Sequence, residues 1–280
     1  MCISDRYILS ATDEESEALN GIYENGLVCG VDDLTYDNSL KSKYPFLEYK
    51  ESIFSPSTGI FDSHSFIHSL SRDFQSQGGN IFLGNETINI NQSNEGFEVL
   101  VEDKNNDTQF VVIANVLVNS AGLNAVHIAN LINEDNVYQE EYVKGEYYIY
   151  QGKEKLEHLI YPTPTENSLG LHATIDLGEG IRFGPSAYVV EEIDYSLSIA
   201  HKLQFLKAVQ SYWPGIEEED LTPGYSGIRP KLKGVSDFVV DSGTVNNNQY
   251  VNVLGYASPG LTSSLALAIE VSNRIESDLS

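Results

Sequence analysis

Gly255-Tyr256-Ala257-Ser258-Pro259-Gly260-Leu261-Thr262-Ser263-Ser264 is the stretch from which the fold is read. The apolar run Tyr250-Val251-Asn252-Val253-Leu254 precedes it and predicts a buried strand. Leu265, Ile269 and Ile275 follow at helical spacing, with Ala266 and Ala268 in the same segment. The order is therefore strand, glycine-rich turn, helix. Gly255 and Gly260 permit positive φ or close backbone approach, and Pro259 fixes φ near about −65° at the helix entry. Backbone N–H groups of Gly260, Thr262 and Ser263 are expected to be free in the first helical turn, where the helix dipole favours anions and electron-rich rings. The same residues would also serve a plain strand-to-helix connection.

A second unit of this kind lies upstream. Residues 116–119 form an apolar run of the sort buried in parallel sheets. Ser120-Ala121-Gly122-Leu123-Asn124 turns it into a segment bearing Val126, Ile128, Ala129, Leu131 and Ile132 at helical spacing. Ahead of it, strands around 81–90, 97–102 and 110–114 are separated by turn residues and predict a meander. Near the start, residues 7–11 read as a strand with nothing before it to pair with. A helix capped by Thr12 or Asp13 follows, carries Leu19, Ile22 and Tyr23 on its apolar face and ends at Asn25-Gly26. Asp62 or Ser63 caps another helix, with Phe66, Ile67, Leu70 and Phe74 on one side.

From about Val137 the pattern turns to β. Segments 143–150, 159–162, 170–174, 181–184 and 188–190 predict an antiparallel sheet with one face covered. Residues 194–212 predict a helix, stopped by Trp213-Pro214-Gly215. Segments 225–232 and 238–240 are further strands. The class is α+β: an incomplete α/β, Rossmann-like nucleotide domain interleaved with an antiparallel β-sheet substrate domain.

Composition narrows the function. The chain has 280 residues and is 41% hydrophobic, enough for one large domain or two small ones. No apolar run reaches the ~18–20 residues that span a bilayer. The opening residues carry no secretory or transit pattern, and two cysteines, Cys2 and Cys29, make no disulfide framework. A formal net charge of −25 argues against nucleic acid and anionic membranes as partners. His64, His68, His127, His158 and His201 show no metal-ligand spacing with the cysteines, so no metal is expected.

Several motifs occur in order. They are Ser57-Thr58-Gly59-Ile60-Phe61-Asp62, Asn119-Ser120-Ala121-Gly122-Leu123, Tyr225-Ser226-Gly227-Ile228-Arg229-Pro230 and Ser258-Pro259-Gly260-Leu261-Thr262. Their arrangement resembles the D-amino-acid-oxidase-like superfamily of FAD-dependent oxidoreductases. Tyr161-Pro162-Thr163-Pro164, Leu169-Gly170-Leu171-His172-Ala173-Thr174 and Arg182-Phe183-Gly184-Pro185-Ser186-Ala187 resemble its L-2-hydroxyglutarate dehydrogenase/oxidase branch. The resemblance covers nearly the whole chain, and its weight lies in the order of the motifs.

The resemblance implies FAD as cofactor, contacted at Ala121, Gly122, Leu123, Gly227, Ile228 and the run Ser258, Pro259, Gly260, Leu261 and Thr262. It implies a small-molecule 2-hydroxy acid as substrate and an electron acceptor that is oxygen or the quinone pool. It also implies a cytoplasmic setting, mitochondrial in a eukaryote. The family opens with a strand and G-x-G-x-x-G; here the nearest pattern, Gly178-x-Gly180-x-x-x-Gly184, has another spacing and lies between strands. On this reading residues 1–56 are a remnant of an N-terminal FAD and substrate region, and 57–136 part of the FAD-binding domain. Residues 137–248 are the substrate-binding β domain, and 249–280 return to the FAD side. The chain alone is then expected to hold FAD poorly.

Two side chains are candidates for the chemistry. Arg229 can bind a carboxylate bidentately, and the resemblance places its strand against the flavin; a surface ion pair is the alternative. Lys231 and Lys233 add to the local field or are simply solvated. His172 suits proton abstraction or a substrate hydrogen bond, and the resemblance places it near the substrate; a structural histidine reads equally well. Rival functions are a related FAD-dependent amino-acid or glycerol-3-phosphate oxidoreductase, or a non-catalytic fragment unable to hold FAD.

Overall fold

The structure, a computed structural model, describes residues 5–133, 137–164 and 170–277. The chain opens with β1 (Arg6–Ser10), α1 (Asp13–Val28), β2 (Thr35–Tyr36), α2 (Leu40–Lys43), β3 (Glu51–Ser55) and α3 (Ser63–Ser76). Then come β4 (Asn85–Gln92), β5 (Phe97–Asp103), β6 (Thr108–Ala114), β7 (Val116–Asn119) and α4 (Ala125–Ile132). The β-rich run is β8 (Glu140–Tyr150), β9 (Leu159–Pro162), β10 (His172–Ile175), β11 (Ile181–Gly184), β12 (Tyr188–Val190), α5 (Lys202–Gln210) and β13 (Leu221–Leu232). The last elements are β14 (Val239–Val245), β15 (Asn248–Leu254) and α6 (Gly260–Ser277). This is the α+β class read from the sequence. Cys2 and Leu169 lie outside the described residues; Cys29 is a free, exposed thiol.

Two compact units emerge. The first comprises Met1–Leu70, Lys144–Tyr188 and Asp194–Gly227; the second comprises Ser71–Val143, Val189–Ile193 and Ile228–Ser280.

In the first unit the strand order β11-β10-β9-β1-β3-β2 puts β1 in the interior of a sheet. β1 runs parallel to β9, with Arg6 opposite Leu159, and antiparallel to β3, with Arg6 opposite Ser55. Both partners of β1 are supplied from later in the chain. One sheet face, carrying Tyr148 of β8 and Phe183 of β11, packs on Phe205 and Val209 of α5 and on Tyr212 and Trp213, all essentially buried. Burial of each such side chain contributes ~1.5–3 kcal/mol. On the other face Leu19 of α1 joins Ile8, Leu34 and Ile53.

Two helix boundaries differ from the sequence reading. Thr12 caps α1 as expected, its Oγ1 accepting from the Glu15 N–H at 3.2 Å. The helix nevertheless continues past Asn25-Gly26 to Val28. Gly26 is an interior contact point there: a Cβ would lie 2.5 Å from Leu34 Cδ1. The later helix does not start at Asp194 but in a short turn at Ile199, before α5. Asp194 accepts from the Ser196 N–H at 2.9 Å and pairs with Lys144 at 3.2 Å, which holds residues 194–196 out of the helix.

The second unit has two three-stranded sheets. β4-β5-β6 is the antiparallel meander the turns predicted, and β14-β15-β7 has β15 parallel to β7. Every residue of β15 is buried, as its apolar run requires. Ile90, Phe97, Val99, Val101, Ile132 and Tyr250 form one core cluster, and Ala125, Val126, Ala129, Leu232 and Leu254 another. α3 has the predicted bounds, but its apolar residues Ile67, Leu70 and Phe74 are exposed.

Candidate functional site

Strand alternation puts Tyr7 and Leu9 of β1, Ile160 of β9 and Ala173 of β10 into the core. Ala173 is opposite Ile160, so His172 and Tyr161 share the other face, and Tyr161 is opposite Ile8, on the face of Arg6. There the His172 imidazole stacks on the Tyr161 ring, with centroids 3.6 Å apart and planes 8° from parallel. The Arg6 guanidinium stands over the same ring, 5.1 Å from its centroid, in cation–π contact. Arg6 Nε is buried and, among the described residues, meets no hydrogen-bond acceptor. Burial, and second the Arg6 charge, lower the His172 pKa to about 4. The imidazole is therefore neutral at physiological pH. Burial raises the Tyr161 pKa, with Arg6 opposing.

Further along this unit, Tyr147 and Tyr225 stack at 4.6 Å. The Arg182 guanidinium lies 5.5 Å from the Tyr225 ring centroid. Arg182 is committed: its Nη2 donates to Asp176 Oδ2 at 2.6 Å.

In the second unit the parallel pairing of β7 and β15, with Asn119 opposite Asn252, brings both strand-to-helix turns to the carboxyl ends of adjacent strands. Open α/β sheets bind ligands at that end. Asn119 Nδ2 donates to the Ala125 carbonyl at 2.7 Å and to Asn252 Oδ1 at 2.9 Å, so a satisfied buried amide ties the first turn to β15. A cavity of about 380 Å3 lies here, lined by Ser120, Gly122, Val253, Tyr256, Ser264 and Ala268, among others.

At the start of α6 the predicted set of free N–H groups is corrected. The Gly260 N–H donates to the Ala257 carbonyl at 2.6 Å and the Ser263 N–H to the Pro259 carbonyl at 3.1 Å. Among the described residues, no acceptor faces the Leu261 and Thr262 N–H groups. Gly255 has the expected positive φ, 64°. Gly260 serves close approach instead, because a Cβ would sit 3.2 Å from the Tyr256 ring. Two uncommitted main-chain donors near a mostly apolar cavity fit an electron-rich ring such as that of a flavin.

The remaining sequence candidates are dispersed. Ala121, Gly122 and Leu123 form the turn after β7, and the Ala121 N–H donates to Asn119 Oδ1 at 3.2 Å. Gly227, Ile228 and Arg229 lie on β13, with Arg229 partly buried in the second unit. His172 is in the first unit. Among the described residues, no three His, Cys, Asp or Glu side chains are grouped to hold a metal ion, and no helix is long and apolar enough to cross a membrane.

The sequence reading passed over Arg6 and over a buried cluster around Lys144 and Glu146. The signal for Arg6 was a guanidinium opening an otherwise apolar strand, and for the cluster Lys144 and Glu146 inside a strand predicted to be half-covered. Glu146 Oε2 bonds His201 Nδ1 at 2.7 Å, Glu146 Oε1 accepts from the Ser198 N–H at 3.3 Å, and Lys144 also donates to the Ser196 carbonyl.

The fold is that of flavin oxidoreductases. An L-α-glycerophosphate oxidase from Mycoplasma pneumoniae, solved with FAD bound, superposes with a TM-score of 0.81 at 19% identity, over 95% of this chain and 71% of that one. Residues 4–274 match the DAO family of FAD dependent oxidoreductases, and the chain belongs to that family. The mitochondrial L-2-hydroxyglutarate dehydrogenase of Arabidopsis thaliana is 33% identical over 276 residues, 82% of this chain and 57% of that protein. An L-2-hydroxyglutarate dehydrogenase of Indibacter alkaliphilus is 26% identical over 95% of this chain and 75% of its own length. The chain thus spans between about half and three quarters of these relatives.

Proposed function

We propose that this chain carries the substrate sheet and part of the flavin side of an oxidoreductase that converts L-2-hydroxyglutarate to 2-oxoglutarate. The carrying observation is His172, a neutral imidazole fixed flat against Tyr161 on a partly open sheet face. Such a group can take the C2 hydroxyl proton on an imidazole nitrogen without first losing one of its own. Arg229, in the second unit, is a separate candidate for binding a carboxylate, its planar fork matching two oxygens. The turns at Ala121–Leu123 and Ser258–Thr262, with Gly227 and Ile228, would hold FAD. When bound, FAD accepts the C2 hydride. The Leu261 and Thr262 N–H groups would then face the charge that arrives on the ring, without titrating. The names of the two relatives support the choice of substrate.

The test is anaerobic flavin reduction in the FAD-loaded protein with L-2-hydroxyglutarate, glycerol 3-phosphate and L-amino acids in separate cuvettes. Bleaching by L-2-hydroxyglutarate alone is expected. Bleaching by glycerol 3-phosphate or an amino acid instead would reassign the substrate.

A further inference from the structure

Arg6 makes no salt bridge among the described residues, and its Nε is buried without an acceptor. That is unusual in a chain with 41 acidic and 16 basic residues, where carboxylates are plentiful. Buried polar atoms are ordinarily hydrogen-bonded, and an exception calls for an explanation. The surroundings give no internal one. Among the described residues only Arg6 acts as a charge on His172 and on Tyr161, and none of their carboxylates is paired with it at the stacked rings. Tyr161 supports the guanidinium through its ring face, and the neighbouring His172 is neutral.

We propose that Arg6, seated on the Tyr161–His172 stack, is the residue that anchors the substrate's distal carboxylate and so selects a dicarboxylate over a monocarboxylate. The inference rests on the reading that this sheet face receives the substrate. The charge count favours carboxylate over phosphate. One guanidinium with a neutral imidazole beside it matches a single negative charge, whereas a phosphate dianion calls for more than one cation. The guanidinium also suits a planar carboxylate, because two parallel N–H groups can meet two oxygens. In this role Arg6 is a specificity residue; the proton and hydride are handled elsewhere.

The test uses glutarate, a five-carbon dicarboxylate with no hydroxyl to oxidise, and propionate as its one-carboxylate counterpart. Each is titrated into the full chain at pH 7 while the His172 ring protons are followed by NMR. Glutarate is expected to shift the His172 signals and propionate to bind at least tenfold more weakly. Arg6→Gln should weaken glutarate at least tenfold and bring it close to propionate, while Arg6→Lys retains part of the affinity. Far-UV circular dichroism confirms that both variants are folded. An unmoved His172 in the unsubstituted chain, or equal glutarate affinity in Arg6→Gln, would overturn the anchor. Arg6-dependent glutarate binding without flavin reduction by L-2-hydroxyglutarate would uphold the anchor and reject the oxidation reading. Reduction by L-2-hydroxyglutarate with unchanged glutarate binding in Arg6→Gln would do the reverse.

Discussion

At His172 the proton balance differs between the folded and unfolded chain. Unfolded, the imidazole binds a proton below its ordinary value of about 6.5; folded, burial and Arg6 delay that to about 4. Between those values the unfolded state holds the extra proton, so stability falls as pH drops through this window and levels off below it. The loss amounts to up to about 3 kcal/mol. Urea unfolding at pH 7 and pH 4.5 should show it, and His172→Gln should remove this part of the pH dependence. The same shift places the acid limb of kcat/KM for the loaded enzyme near pH 4 if His172 is the base. A limb near 6.5 would take the base role from it. Sequence identified His172 from a family pattern, while its environment was illegible. The Tyr161 stack and the Arg6 charge depend on a register joining β1, β9 and β10, segments more than 150 residues apart at the extremes.

Among the elements, strand alternation and turn residues gave the meander, β7, β15 and their two helices close to their observed bounds, because those signals are local. The start of the later helix was not local. Lys144, 50 residues from Asp194, pulls the 194–196 segment out of helical geometry. Lys144 and Glu146 are both nearly buried and 4.0 Å apart, so removing one partner leaves a desolvated charge. Lys144→Met is expected to destabilise the chain by about 3–5 kcal/mol in chemical denaturation, with Lys144→Met/Glu146→Leu costing less than the single change. An exposed-type cost under about 1 kcal/mol would show that water reaches the pair. At the start of α6, valine at Gly260 would crowd the Tyr256 ring and displace the helix entry. Gly260→Val should lower the flavin reduction potential or expel the flavin, with far-UV circular dichroism largely retained. Normal flavin content, potential and turnover together would reduce this turn to a connection.

Over the whole molecule, the ordered motifs made the family legible, but charge sets a condition that no motif expresses. A chain at −25 repels a dianionic substrate over long distances. The proposed contact with Arg6 acts at hydrogen-bond range, inside any relevant screening length. The distributed repulsion acts over tens of ångströms and is cut when the Debye length falls from about 30 Å at 0.01 M salt to about 10 Å at 0.1 M. Screening therefore removes more of the repulsion than of the attraction. Glutarate affinity is expected to rise severalfold between these two ionic strengths, measured with a chloride salt and repeated with a second monovalent anion to separate screening from competition at the guanidinium. Propionate, with half the charge, should gain less. An affinity that falls with both salts would mean that local cations outweigh the acidic surface in steering the substrate.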